Sequence, residues 1–266
     1  MPNAKDVTNE ELGAPKFLLI GSTGSGKTAQ ILTLPGKTFA YLFDPSALST
    51  LKGHDIDYEE FMPTKMNLGA VSLSKGKSDP VTKGSDAHDV YNLWAADADK
   101  KEAEGFFDQY DNICFDSFTT FSAIVMDRIL KINGREGQFP QQDDWAGQMQ
   151  TITNVVRQFI AMKKVLLFTA HDQFKQDKTS SRMQNVIMLT GQLRISLPLL
   201  FSEIWHMDCA STANFEKFQA QTRPDRLNPA IRCTYRDMDM FHDVTIKDWK
   251  NPQAYGLGKI LNGDRK

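Results

Sequence analysis

Apolar and polar positions along the chain fall into short blocks whose spacing changes from strand-like to helix-like. Phe17 to Ile20, Thr38 to Phe43, Ile113 to Phe115 and Val165 to Ala170 are short apolar runs. Runs of this length predict buried strands, because a bilayer span needs about 20 apolar residues. Between them the spacing turns helical. Residues 27–33 predict a first helix. Ser85 to about Glu104 predict a second, with Val90, Leu93 and Trp94 on one face and Ser85 or Asp86 as its cap. Phe118 to Ile132 predict a third, stopping near Asn133-Gly134, and Trp145 to Met162 a fourth. Past residue 200, Ser202 to Cys209 and Ile231 to Ile246 predict strands with no helix between them. Alternating strands and helices followed by a strand run predict an α/β fold. Its sheet is mostly parallel, flanked by helices and extended by antiparallel strands at the C-terminal end.

The polar stretches set the boundaries. Residues 1–15 read as a flexible lead-in, 16–250 as a single core and 251–266 as a C-terminal tail. Residues 62–85 predict an irregular surface segment, and 134–144 and 172–194 predict polar loops. The length of 266 residues fits one domain, at most two. Hydrophobic residues are 41% and charged residues 24%, as in ordinary globular chains. The formal net charge of -2 excludes a globally basic binder but leaves room for a local basic groove. Cys114, Cys209 and Cys233 are isolated from one another, which excludes a disulfide scaffold and a Cys-rich zinc site. With no apolar leader after Met1, the expected compartment is the reducing cytoplasm, without membrane partners.

The strongest chemical signal is Gly21-Ser22-Thr23-Gly24-Ser25-Gly26-Lys27-Thr28. It fits G-x-x-x-x-G-K-[ST], with an apolar strand before it and a helical pattern after it. Glycines let backbone amides close on phosphate oxygens, and a helix start adds positive potential. Lys27 would reach the β- and γ-phosphates of ATP, and Thr28 would ligate Mg²⁺. Asp116 closes the third strand. It would hold the same Mg²⁺ through a water, or else cap the helix beginning at Ser117 or Phe118. His171, after the fourth strand, would sense the γ-phosphate or be satisfied by neighbouring backbone.

These motifs, in their order with Phe43-Asp44-Pro45, Thr169-Ala170-His171 and Leu189 to Arg194, resemble phage-encoded P-loop ATPases built on a bare RecA-like core. That group includes short recombination and single-strand-annealing proteins. The resemblance covers most of residues 15–246, and only the phosphate motif is highly specific. It implies two DNA-facing loops. The first spans Asn133 to Asp144 and includes Arg135. The second spans Gln173 to Arg194, with Phe174, Lys175, Lys178, Arg182 and Arg194. The alternative is a pair of ordinary solvated loops. RecA-like ATPases carry a Glu base after the second core strand. Here Asp44 is the nearest carboxylate, with Glu59 and Glu60 farther on.

The resemblance therefore implies an ATP- and Mg²⁺-dependent ATPase acting on single-stranded DNA in recombination, annealing or replication. The absent Glu leaves open an ATP-gated DNA-binding or loader module with little hydrolysis. A small-molecule or nucleotide kinase is a third reading, which the strand-rich C-terminal part disfavours. RecA-like sites lie between subunits, which implies a ring or filament of identical copies. Arg232 or Arg236 would then be the cation inserted from a neighbour, unless both are plain surface charges.

Overall fold

The computed structural model describes residues 13–65, 71–72, 77–78, 86–177, 181–212 and 215–263. Strand β1 (Lys16–Gly21) runs into the phosphate motif and a tight 3-10 helix, Thr28–Thr33. Then come β2 (Thr38–Leu42), α1 (Ala47–Leu51), β3 (Asp57–Glu60) and the short pair β4 (Val71–Ser72) and β5 (Lys77–Ser78). Helix α2 (Ala87–Ala103), β6 (Asn112–Asp116), α3 (Phe118–Ile132), α4 (Gln142–Ile160) and β7 (Val165–Ala170) follow. The last part holds β8 (Asp172–Gln176), β9 (Met183–Ile187), α5 (Leu193–Ser196), β10 (Glu203–Thr212), β11 (Phe215–Gln221), β12 (Phe241–Asp243) and α6 (Gly256–Leu261).

Eight strands form one sheet in the order β12-β11-β10-β1-β7-β6-β2-β3. From β10 to β3 every neighbouring pair is parallel, while β11 and β12 are added antiparallel. This is the α/β arrangement expected from the sequence. The central strands are apolar on both faces because helices cover both. Leu18, Ile20, Phe39, Tyr41, Ile113, Phe115, Leu166 and Phe168 face α2, α3 and α4. Phe17, Leu19, Ala40, Leu42, Cys114 and Leu167 face the opposite layer, built around Ile31, Leu51 and Leu257. Phe115 is the hub of the first layer, with its ring 4.4 Å from Phe168, 4.8 Å from Phe159 and 5.4 Å from Tyr41.

Several expectations are corrected. Leu93 does not share the buried face of α2 with Val90 and Trp94; it is 63% exposed. Residues 172–194 are not simply a loop, since β8 and β9 pair as an antiparallel hairpin. Residues 231–246 are not a strand apart from a bridge at Arg232 and the short β12. The reason lies in two side chains that take over backbone groups a ladder would use. The Arg223 guanidinium donates to the carbonyls of Cys233, Tyr235 and Arg236 at 3.0, 2.6 and 3.0 Å. The Glu203 carboxylate accepts from the Thr234 amide at 3.2 Å. The antiparallel partner of β10 is instead β11, whose mixed polar pattern hid it. Packing also continues past residue 250: Leu257 of α6 is fully buried against the layer around Ile31. Of the expected lead-in, residues 1–12 lie outside the described residues.

Candidate functional site

The register of the sheet brings the key residues together. Gly21 is level with Met207, Ile20 with Ala170, and Leu42 with Asp116. The carboxyl ends of β1, β2, β6 and β7 therefore share one edge of the sheet, where open α/β folds hold ligands. The phosphate motif, Asp44, Asp116 and His171 all follow from those ends.

Two glycines of the motif are dictated by close approach. A Cβ on Gly21 would lie 2.4 Å from the Met207 carbonyl oxygen. Gly26 has φ +83°, and a Cβ there would press the Phe218 ring of β11 at 2.9 Å. The strand that the sequence concealed thus walls the phosphate loop. The helix after the loop is a six-residue 3-10 helix that stops at Leu34-Pro35, where proline cannot continue it. The pull on an anion consequently falls to the loop amides and to Lys27 rather than to a long helix dipole.

Lys27 is 6% exposed, not the solvent-reaching side chain its motif suggests. Its Nζ donates to the carbonyls of Gly21 at 2.7 Å and Ser22 at 2.8 Å. Burial lowers its pKa, against the pull of Asp116, Asp172 and Asp44. Thr28 Oγ1 donates to Asp116 Oδ2 at 2.8 Å, and Thr169 Oγ1 donates to the other oxygen of the same carboxylate. Burial raises the Asp116 pKa, and these two hydroxyl bonds oppose the rise. Asp116 is therefore not the cap of α3; Ser117 is, accepting from the Thr120 amide at 3.4 Å.

The Thr28 hydroxyl and the Asp116 carboxylate form an all-oxygen donor set, the chemistry Mg²⁺ selects. They lie beside a glycine cradle and a lysine, so these residues fit Mg²⁺ held together with a nucleotide's phosphates.

Asp44 and His171 are brought face to face. His171 Nε2 lies 3.6 Å from Asp44 Oδ2, and Thr120 Oγ1 donates to Asp44 Oδ1. Burial pushes the Asp44 carboxyl up, but bonds from His171, Thr120 and Ser117 outweigh it and hold the group below its usual range. The His171 amide donates to Thr119 Oγ1 at 2.9 Å.

The residues expected to face DNA separate into two sets. Arg135 is not available: its guanidinium donates to Asp144 at 2.5 and 2.7 Å and to Asp143 at 2.7 Å. Asp144 is fully buried and completes the capping box of α4, so Arg135 is structural. Phe174, Lys175 and Arg182 are exposed on the β8–β9 hairpin, and Arg194 is the second residue of α5. Lys178 lies outside the described residues. Arg232 donates to the Phe201 carbonyl of its own chain at 3.1 Å, while Arg236 is exposed. Glu59 and Glu60 sit on the exposed edge strand β3.

The sequence reading missed Asp172, His206 and Asn185. Asp172 Oδ1 accepts from Ser22 Oγ of the phosphate loop at 3.2 Å. Its other oxygen lies 2.9 Å from His206 Nε2 and accepts from Asn185 Nδ2 at 2.8 Å. Burial would raise the Asp172 pKa, but His206 and Asn185 hold it down to about 2. Only the position of Asp172 directly after His171 could have marked it. Asn185 and His206 reach it through the hairpin and the sheet.

A family model described as an AAA domain matches residues 14–230. Among solved structures, a KaiC-like protein from Pyrococcus horikoshii is similar at 11% identity and TM-score 0.47, covering 91% of this chain and 88% of that one. The flagellar accessory protein FlaH from Methanocaldococcus jannaschii is similar at 11% identity and TM-score 0.39, covering 88% and 86%. No curated protein sequence matches the chain. Among the described residues, no helix is long and apolar enough to cross a membrane.

Proposed function

We propose that this chain, which belongs to the AAA domain family, is a Mg²⁺-dependent ATPase that works on single-stranded DNA. The observation that carries the ATPase reading is the meeting of Thr28 and Asp116 at 2.8 Å beside Lys27. Thr28 and Asp116 would hold Mg²⁺, whose charge would offset that of the phosphates. Lys27 would exchange its bonds to the loop carbonyls for phosphate oxygens. In the water-excluded floor of the loop, that charge counts for more than it would in solvent.

Asp44 and His171 would orient the attacking water. A carboxylate whose pKa is held low accepts a proton poorly, so Asp44 would position the water better than it would deprotonate it. A water that is positioned without a strong base suits the ATP-gated form of the same reading.

The DNA part of the proposal is supported by the hairpin after β7. Lys175 and Arg182 can neutralise phosphates without reading sequence, and the exposed Phe174 can stack a base. We further propose assembly into a ring or filament, with Arg236 the better donor to a neighbour's site because Arg232 is tied to Phe201.

The test is ATP hydrolysis with and without oligothymidylate, and with and without excess chelator. Turnover that needs Mg²⁺ and rises several-fold with the strand supports the proposal. Turnover indifferent to both overturns it. Phosphate transfer to a small acceptor instead of water would make the chain a kinase.

A further inference from the structure

Resting on the single-strand reading above, we propose that the cavity between the β8–β9 hairpin and residues 228–232 receives one unstacked base of the bound strand. The cavity has a volume of about 640 Å³, inside the range of roughly 300–1,000 Å³ typical of small-molecule sites. Its apolar lining comes from Ile187, Ile195, Pro198, Leu199, Ile204 and Ile231. Lys175, Arg194 and Arg232 also line it, against Asp177 as the one carboxylate among the lining residues. An apolar hollow with surplus positive charge asks for a ligand that joins a flat apolar body to an anion. A nucleotide within a strand has both. A free phosphate lacks the body, and an apolar peptide lacks the charge.

A second observation concerns hydrogen bonding. Asn185, in the wall, is 7% exposed, and its amide oxygen is buried with no hydrogen-bond partner. Native interiors rarely leave such an acceptor unmatched. A small shift of the Asn185 side chain would turn this oxygen into the cavity, where an N–H on a base edge would answer it, and every common base carries one. The site would therefore accept bases without strong sequence preference. Phe174, 66% exposed on the same hairpin, offers a ring to a neighbouring base. Ile195 and Leu199, 62% and 66% exposed, keep apolar surface open beside the cavity. The cavity also backs onto the phosphate site, because Asn185 and His206 line it and both contact Asp172.

The test compares oligothymidylate with an abasic strand of the same length, by fluorescence anisotropy, on the full chain and on Ala230→Trp. Ala230 lines the cavity from an exposed position, so the larger ring fills the hollow without disturbing the core. The thermal midpoint and ATP affinity check that the variant is folded. The wild type should bind the abasic strand more weakly by about tenfold or more, because both the held base and the one stacked on Phe174 are gone. In Ala230→Trp, oligothymidylate should lose most of its advantage over the abasic strand, keeping only what stacking on Phe174 supplies, while abasic binding and ATP affinity stay unchanged. Equal binding of both strands by the wild type, or a full preference kept in the variant, overturns the cavity assignment and leaves the DNA reading standing. Binding of neither strand overturns the DNA reading and this inference with it. If Ala230→Trp instead changes the sedimentation of the protein without DNA, the hollow is a contact between copies and the assignment is wrong.

Discussion

Ser22 of the phosphate loop and Asp172 of the β8–β9 hairpin are joined by a 3.2 Å hydrogen bond, so the nucleotide cradle and the hairpin share one contact. Asp172 is the first residue of β8 and directly follows His171. The strand that leads to Phe174 and Lys175 is thereby tied to the phosphate loop.

The pH dependence of stability tests that contact. The Asp172 pKa is about 2 in the folded chain, against roughly 3.9 for a free aspartate. Its contribution is fully present above about pH 4 and is lost as pH falls toward 2. Asp144, held by Arg135 at about 2, titrates in the same window. The measurement is therefore a difference: urea midpoints of wild type and Asp172→Asn across this range. The gap between them should close as the solution is acidified. A gap independent of pH would mean that the Asp172 charge contributes nothing to folding.

Lys27→Ala should lower ATP turnover by about a hundredfold or more, the usual loss for one preorganised donor to developing charge. Its burial adds a consequence the motif alone does not suggest. The Gly21 and Ser22 carbonyls lose their donor, so the thermal midpoint without nucleotide should fall slightly. Wild-type turnover in the variant would refute the phosphate-loop assignment.

Asp116→Asn keeps the side-chain shape but removes the charge that Thr28 and Thr169 now satisfy. Relief from a buried charge should leave stability equal or higher, while the Mg²⁺ concentration for half-maximal nucleotide binding rises about tenfold or more. Titrating Mg²⁺ against a fluorescent ATP analogue reads this directly. An unchanged Mg²⁺ requirement would exclude Asp116 from the metal site.

What the sequence made legible follows from how each element is buried. β7 and α3 lie where the apolar pattern placed them, because both are buried among the aromatic rings around Phe115. The hairpin was hidden because Phe174, Lys175 and Gln176 are exposed, so no apolar face marks it. β11 was hidden because Glu216, Lys217 and Gln219 interrupt the pattern, although Ala220 is fully buried. Arg135 misled for the opposite reason: a charge on a polar loop looks free until the fold brings Asp143 and Asp144 beside it. Of the cluster of Asp172, Asn185 and His206, only the place of Asp172 after His171 was a signal, since 34 residues separate its ends.

The C-terminal helix offers a stability test away from the site. Leu257 is fully buried, and its amide donates to Gln30 Oε1 at 3.3 Å. Leu257→Ala should cost about 2–5 kcal/mol, the range for truncating a buried leucine. Gln30 belongs to the 3-10 helix that follows Lys27, so ATP affinity should weaken along with stability. Denaturant unfolding with and without ATP measures both. A loss under about 0.5 kcal/mol would mean that α6 is only loosely attached.

Subunit mixing tests whether the site is shared between copies. Lys27→Ala protein fails at its own phosphate loop but can still lend Arg236 to a neighbour. Arg236→Ala protein has an intact loop but lends nothing. Arg236 is exposed, so its loss opens no cavity and the variant should fold as the wild type does. A cation supplied in trans is worth about a thousandfold or more in turnover where it acts on phosphoryl transfer. Mixed at equal amounts, the two variants should hydrolyse ATP faster than the sum of their separate rates, because some interfaces pair a good loop with a good arginine. If the mixture never exceeds that sum, Arg236 is an ordinary surface charge. If the wild type also stays monomeric with ATP and single-stranded DNA, each chain works with its own residues alone.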